Sequence, residues 1–214
     1  MSYIESIESI IKENAKKAAG KYHFFKARKI RKALEKFGGA NQIEAEKYLD
    51  AYSKNGVSDF SSYKIYMSNK RNWANYIFSD TEYSFIFWKN GETDIARIGF
   101  DLEYEMAIKV KQIQGKNGYQ NALMPFRWEK MLIKVVEDWA SDNGFKQSRI
   151  QRAEDSRYWK YIDETDETIT SIMTAEGYEY HTKLNKRLKM KYDITAKRCG
   201  YRYDEGLECF VKDL

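Results

Sequence analysis

The sequence predicts an α/β (α+β) fold: a mixed, mostly antiparallel sheet flanked by helices, preceded by a helical extension. Three observations predict it. Apolar residues recur at steps of three and four over roughly the first 75 residues, and from Tyr83 the period falls to two. The stretch from Tyr83 to Gln114 is rich in aromatic and β-branched residues and holds Asn90-Gly91, a strong hairpin signal. A second helical pattern follows Pro125 and leads into a short strand pattern over 145–150.

Taken in order, Ile4, Ile7, Ile10 and Ile11 mark one helix face. Phe24, Phe25, Ala27, Ile30, Ala33, Leu34 and Phe37 mark a second, which Gly38-Gly39 stops. Asn41 is an N-cap for a third helix carrying Ile43, Ala45, Tyr48 and Leu49. Asp59, Ser61 and Ser62 start a fourth segment that reaches Trp73 and Tyr76. Strands are expected over 83–88, 93–100 and 105–114, as an antiparallel meander. In the last, Met106, Ile108, Val110, Gln112 and Gln114 should share one face, with Ala107, Lys109, Lys111 and Ile113 on the other. Pro125 opens a helix whose Trp128, Met131, Leu132, Val135, Val136, Trp139 and Ala140 form one stripe. Asn143-Gly144 ends it, and a crossover of this kind favours a parallel strand next. An acidic turn over 163–167, a helix over 184–199 ending at Gly200, and two short strands over 201–203 and 208–211 complete the chain. The expected division is a helical region over 1–76 and an α/β domain over 77–214.

The 214 residues are 43% apolar with a net charge of +5, which argues against disorder. No apolar run is long enough to span a bilayer, and the N-terminus lacks the pattern of a secretory signal. Two cysteines, Cys199 and Cys209, make no disulfide framework, so a cytoplasmic setting is expected. Residues 1–38 hold ten Lys or Arg against four Glu. The basic stretch 12–36 could therefore engage nucleic acid or an acidic protein partner, or simply present solvated helix faces. Phosphate-loop, dinucleotide-binding and nucleophile-elbow motifs are all missing, and two His with two Cys fall short of a zinc set. No metal site is expected.

What remains is a Gly-containing loop after the third strand, Gln112-Ile-Gln114-Gly115-Lys116-Asn117-Gly118-Tyr119. With the order of elements from about Tyr83 onward, it resembles the GCN5-related N-acetyltransferase (GNAT) superfamily. There a strand ends in Q/R-x-x-G-x-G/A, and loop and helix N–H groups hold the pyrophosphate of acetyl-CoA. Gln112 and Gly115 match the first two positions; Asn117 stands where the family has Gly or Ala. Pro125 lies ten residues beyond Gly115, a longer loop than the family's. The segment from Tyr192 to Gly200-Tyr201 resembles the family's last helix, with Ala196 at the position of its proton-donating Tyr and Tyr192 one turn earlier.

The resemblance implies an acyl-CoA-dependent N-acyltransferase acting on an amine of a protein or small molecule. Gln112, Gln114, Gly115, Lys116, Asn117, Gly118 and Tyr119 would bind acetyl-CoA or another acyl-CoA. Glu103 and Glu105 would be candidate bases and Tyr192 a candidate acid. The alternative is a non-catalytic binding protein on the same scaffold, using its basic N-terminal helices on nucleic acid or a protein partner. The mismatch at Asn117, the long loop and Ala196 favour that alternative.

Overall fold

The computed structural model describes residues 40–54, 59–68, 80–90, 94–103, 106–159 and 175–214. The two N-terminal helices expected before Gly38, the basic stretch 12–36 and the acidic turn 163–167 lie outside them. The chain divides into two compact units: residues 1–148 with 213–214, and residues 149–212.

In the first unit, β1 (Ala40–Ile43), β2 (Tyr63–Ser68), β3 (Tyr83–Lys89), β4 (Asp94–Glu103) and β5 (Ala107–Gly115) pair in sequence order. Every one of these pairings is antiparallel. The expected meander over 83–114 is therefore present, and two strands precede it. Both corrections fall on segments read as helical. The expected cap at Asn41 falls inside strand β1; the helix α1 (Glu46–Tyr52) starts five residues later, with no side-chain cap at Ala45. The segment after Ser62 is β2, with Ile65 and Met67 buried two residues apart. Asp59 instead closes a turn, accepting the Ser61 N–H at 2.9 Å.

Two bulges reset the faces of the sheet, one in β4 and one in β5. Phe87 pairs with Ala96 but Trp88 with Asp94. Gly99 pairs with Gln112 but Phe100 with Val110. The second slip overturns the expected alternation of β5: Gln112 stays opposite Gly99, whereas Val110 joins the face of Phe100. One extra residue, Lys111, is the reason, because a single insertion swaps the faces of everything beyond it.

After a short helix α2 (Gln120–Leu123), α3 (Trp128–Asp142) covers one face of the sheet. Met131, Leu132, Val135, Val136 and Ala140 are buried as the stripe requires. Ile133 and Glu137 are buried too, so α3 is covered on more than its stripe. Trp139 stacks near Phe145 at 5.9 Å and meets Phe100 at 5.2 Å and Phe85 at 6.1 Å. Phe126, just before α3, meets Tyr63 at 4.9 Å and Phe87 at 5.4 Å, both edge-on. Helix α1 is tied to α3 by the Tyr48 hydroxyl, which donates to Asp138 at 3.0 Å.

Strand β6 (Gln147–Gln151) leads into the second unit. There a 3₁₀ turn (Ala153–Asp155) precedes one continuous helical run: α4 (Ala175–Lys189), a π segment (Met190–Ile194) and α5 (Thr195–Arg198). The run begins nine residues before the expected 184. It ends at Gly200 as foreseen, in the left-handed region at φ +85°. Strands β7 (Arg202–Asp204) and β8 (Cys209–Asp213) form the closing hairpin. Among the described residues, no helix is long and apolar enough to cross a membrane.

Candidate functional site

The loop singled out in the sequence is a tight turn between β5 and α2. Gly115 ends the strand against the next helices: a Cβ there would meet Leu123 Cδ1 at 3.0 Å and Trp128 Cζ2 at 3.3 Å. The Lys116 N–H donates to the Ile95 carbonyl at 2.9 Å, and the Tyr119 N–H returns to the Lys116 carbonyl at 3.3 Å. Gly118 sits at φ +86° with open space on its Cβ side. A left-handed residue here lets the chain reverse within four residues, so α2 begins at Gln120 and not at Pro125. The loop is thus shorter than the spacing to Pro125 implies. The N–H groups of Asn117 and Gly118 have no acceptor among the described residues. Lys116 Nζ lies 4.1 Å above the Tyr119 ring.

Gln112 lies on β5 before this turn. It is buried opposite Gly99, where its Oε1 accepts the Asp80 N–H at 3.3 Å and its Nε2 donates to Gln114 Oε1 at 2.9 Å. Gly99 makes room for this crossing, since a Cβ there would stand 2.2 Å from Thr81 Oγ1. Gln112 therefore anchors the entry to β3. Glu103 pairs with Ala107, at the end of the ladder away from Gly115. Eight residues of strand separate the two, about 26 Å at the strand rise. Glu105 lies outside the described residues. Tyr192 belongs to the second unit, buried in the π segment beside Asp193, which accepts the Ala153 N–H at 2.8 Å. Burial pushes the Asp193 carboxyl above its ordinary value. Ala196 is fully buried.

A charged pair that the sequence reading missed lies next to the turn. Asp94 Oδ2 accepts from Arg97 Nη2 at 3.0 Å, with side chains only 4% and 1% exposed. In a regular strand, residues three apart point to opposite faces. The bulge at Phe87/Trp88 turns Asp94 onto the face of Arg97, so no alternation rule could have paired them. Burial pushes the Asp94 carboxyl up against the pull of Arg97 and nearby Lys116, and it lowers the Arg97 guanidinium. A separate open cavity of about 890 Å³ lies between α1 and the 59–64 segment, lined by Leu49, Phe60, Tyr63, Lys47 and Lys64. No sequence-predicted site residue lines it. Among the described residues, no group of three or more His, Cys, Asp or Glu could hold a metal ion.

No protein-family profile matches the chain, and no curated protein matches it significantly. Among solved structures, it is similar to a candidate N-acetyltransferase from Lactobacillus plantarum. That match has 14% identity and a TM-score of 0.34, over 82% of this chain and 99% of the other. It is also similar to the ribosomal-protein-S18-alanine N-acetyltransferase from Escherichia coli. There the identity is 11% and the TM-score 0.27, over 64% of this chain and 85% of the other. Likenesses this distant say nothing about activity or acceptor.

Proposed function

We propose that this protein is an acyl-CoA-dependent N-acyltransferase acting on an amine. The observation that carries the reading is the β5–α2 turn. Left-handed Gly118 exposes two adjacent N–H groups, at Asn117 and Gly118, with Lys116 alongside. Two oriented N–H donors and a cation suit a phosphate oxygen. In this reading the turn holds the diphosphate of acetyl-CoA or another acyl-CoA. The amine attacks the thioester carbonyl, a carboxylate such as Glu103 or Glu105 takes the proton it loses directly or through water, and the C–S bond breaks so that CoA leaves as the thiolate. Lys116 and Tyr119 contribute side chains, since their own N–H groups are already bonded.

The second reading, a non-catalytic binding protein on the same scaffold, is favoured by Gln112. Its side-chain amide bonds the Asp80 N–H and Gln114. Calorimetry with acetyl-CoA on the full chain separates the two readings. The parent should bind saturably. Gly118→Val should weaken binding about tenfold or more, because a branched side chain is strained at φ +86° and crowds the donors. Lys116→Ala should cost about threefold, as an exposed contact is screened, and Asn117→Gly should bind like the parent or better. If the parent does not bind, or all three variants bind like it, the turn is not the diphosphate site and the second reading stands.

A further inference from the structure

We propose that the exposed face of α4, in the second unit, is a binding surface for single-stranded nucleic acid. The inference does not rest on the acyl-transfer reading, and it concerns a different segment from the basic stretch 12–36. It starts from charge. Residues 183–191 hold Lys183, Lys186, Arg187, Lys189 and Lys191 and no acidic residue. A helix end attracts cations on its own account, but that effect is confined to the last turn. The helical run does not end here; it continues through the π segment to Arg198. Like charges three or four apart repel, as Lys183 with Arg187 and Lys186 with Lys189 do. A face that only had to stay wet could interleave its signs, as Lys134 and Asp138 do on α3.

The stripe is also free to be met. Residues three and four apart share a helix face, which puts Tyr180, Lys183, Lys186, Arg187 and Met190 on one side of the run. All five are exposed, Tyr180 at 63%. Lys183 is paired with Glu179, and Lys189 lies 5.4 Å over the Trp159 ring. Lys186 and Arg187 have no ion-pair partner among the described residues. From Tyr180 to Met190 the stripe is about 15 Å long at the helical rise. A nucleic-acid strand carries one charge per ~3.4 Å when stacked, so several consecutive phosphates fit along it.

Exposed rings select the class of polyanion. Six large apolar side chains are well exposed among the described residues, and five of them lie in this unit: Tyr158, Tyr180, Met190, Tyr203 and Leu207. An unpaired base stacks on such a ring while cations track the backbone, and Tyr180 stands on the same stripe as the cations. An acidic peptide would use the cations and leave the ring without a role. An anionic membrane asks for a continuous apolar face beside the charges. Here Leu184 and Leu188 turn the other way, Leu188 buried and Leu184 half-buried.

Fluorescence anisotropy on the full chain tests the proposal, with a labelled fifteen-nucleotide thymidine strand as the probe. A duplex of the same length, a polyglutamate peptide and phosphatidylserine vesicles serve as comparisons. The strand should bind saturably and more weakly as salt rises. Lys186→Ser with Arg187→Ser should weaken it about tenfold at low salt and make the slope of log affinity against log salt shallower by about 1.4, the value of two phosphate contacts. Tyr180→Ala should weaken it about tenfold with the slope unchanged, and should leave duplex binding as it was. All three side chains are exposed, so both variants should melt near the parent. Polyglutamate and the vesicles should bind at least about tenfold more weakly than the strand. No saturable binding of the strand would overturn the proposal. So would strand affinity unchanged in either variant, which would move the binding to another segment such as 12–36. An equal effect of Tyr180→Ala on the duplex, or polyglutamate or vesicles bound as tightly as the strand, would overturn it too.

Discussion

Two faces of one sheet, drawn from the same strands, are equally dry and chemically opposite. Toward α3 stand Tyr83, Phe85, Phe87, Ile98, Phe100 and Ile113, all at most 2% exposed and joined by ring contacts. On the other face stand Ser84, Arg97 and Gln112, at 1%, 1% and 3%. The apolar face gains by area removed from water and tolerates no charge. The polar face is buried at a cost, leaving several bonding atoms of Asp94, Arg97 and Ser84 without a partner among the described residues. Burial alone therefore does not say what a surface is for. The difference between the faces lies in whether the buried groups are satisfied by one another.

The largest test of the contrast is Val135→Asp. Val135 is 1% exposed within the α3 layer, so a lone carboxylate there should cost about 4 kcal/mol or prevent folding. Urea denaturation measures it, and near-parent stability would show that this stripe of α3 does not lie in the core.

Arg97→Met probes the polar face. It strands Asp94 and should cost about 3–5 kcal/mol at neutral pH. The double replacement Arg97→Met with Asp94→Leu should return to within about 1 kcal/mol of the parent or exceed it. A double variant as weak as the single would show that the pair itself holds the face together. The pH dependence has a definite sign. The folded Asp94 value lies above the unfolded one, so its contribution is full below the unfolded value of 3.8 and is lost as pH rises through the folded value. The single variant's defect should therefore shrink between neutral pH and about pH 4, measured by urea melts at both ends.

Gly99→Ala tests where the 80–82 segment crosses the polar face. The new methyl would stand 2.2 Å from Thr81 Oγ1, and the expected loss is about 1–3 kcal/mol. A stability equal to the parent's would mean that the crossing yields easily. The smallest effect belongs to neither face. Lys134 and Asp138 pair one turn apart on the solvent side of α3, and Lys134→Ala should cost about 0.3–0.5 kcal/mol. Thermal melts at low and high salt should show that small term fading.

How much was legible depends on which interactions were local. The meander over 83–114 and the α3 stripe could be read because their apolar periods of two and 3.6 run over many residues. Segments 40–43 and 63–68 were misread as helical. Both are short, and their strand character rests on pairing with distant partners: Ile43 with Ile65, and Met67 with Phe85. The site divides in the same way. The left-handed turn at Gly118 was visible as a glycine in a loop. The use of Gln112 as an anchor for Asp80 was not, because Asp80 lies 32 residues earlier.

By itself the sequence determined the antiparallel meander, the helix after Pro125, the Gly200 stop and the closing hairpin, since each follows from a local period or from a residue's own backbone freedom. Tertiary structure decided the faces. Inserted residues at two bulges moved Asp94 beside Arg97 and parted Val110 from Gln112. The physical reason is that alternation records only the parity of a position, and parity beyond a bulge is set by the register against a neighbouring strand, which no stretch of the strand's own residues encodes.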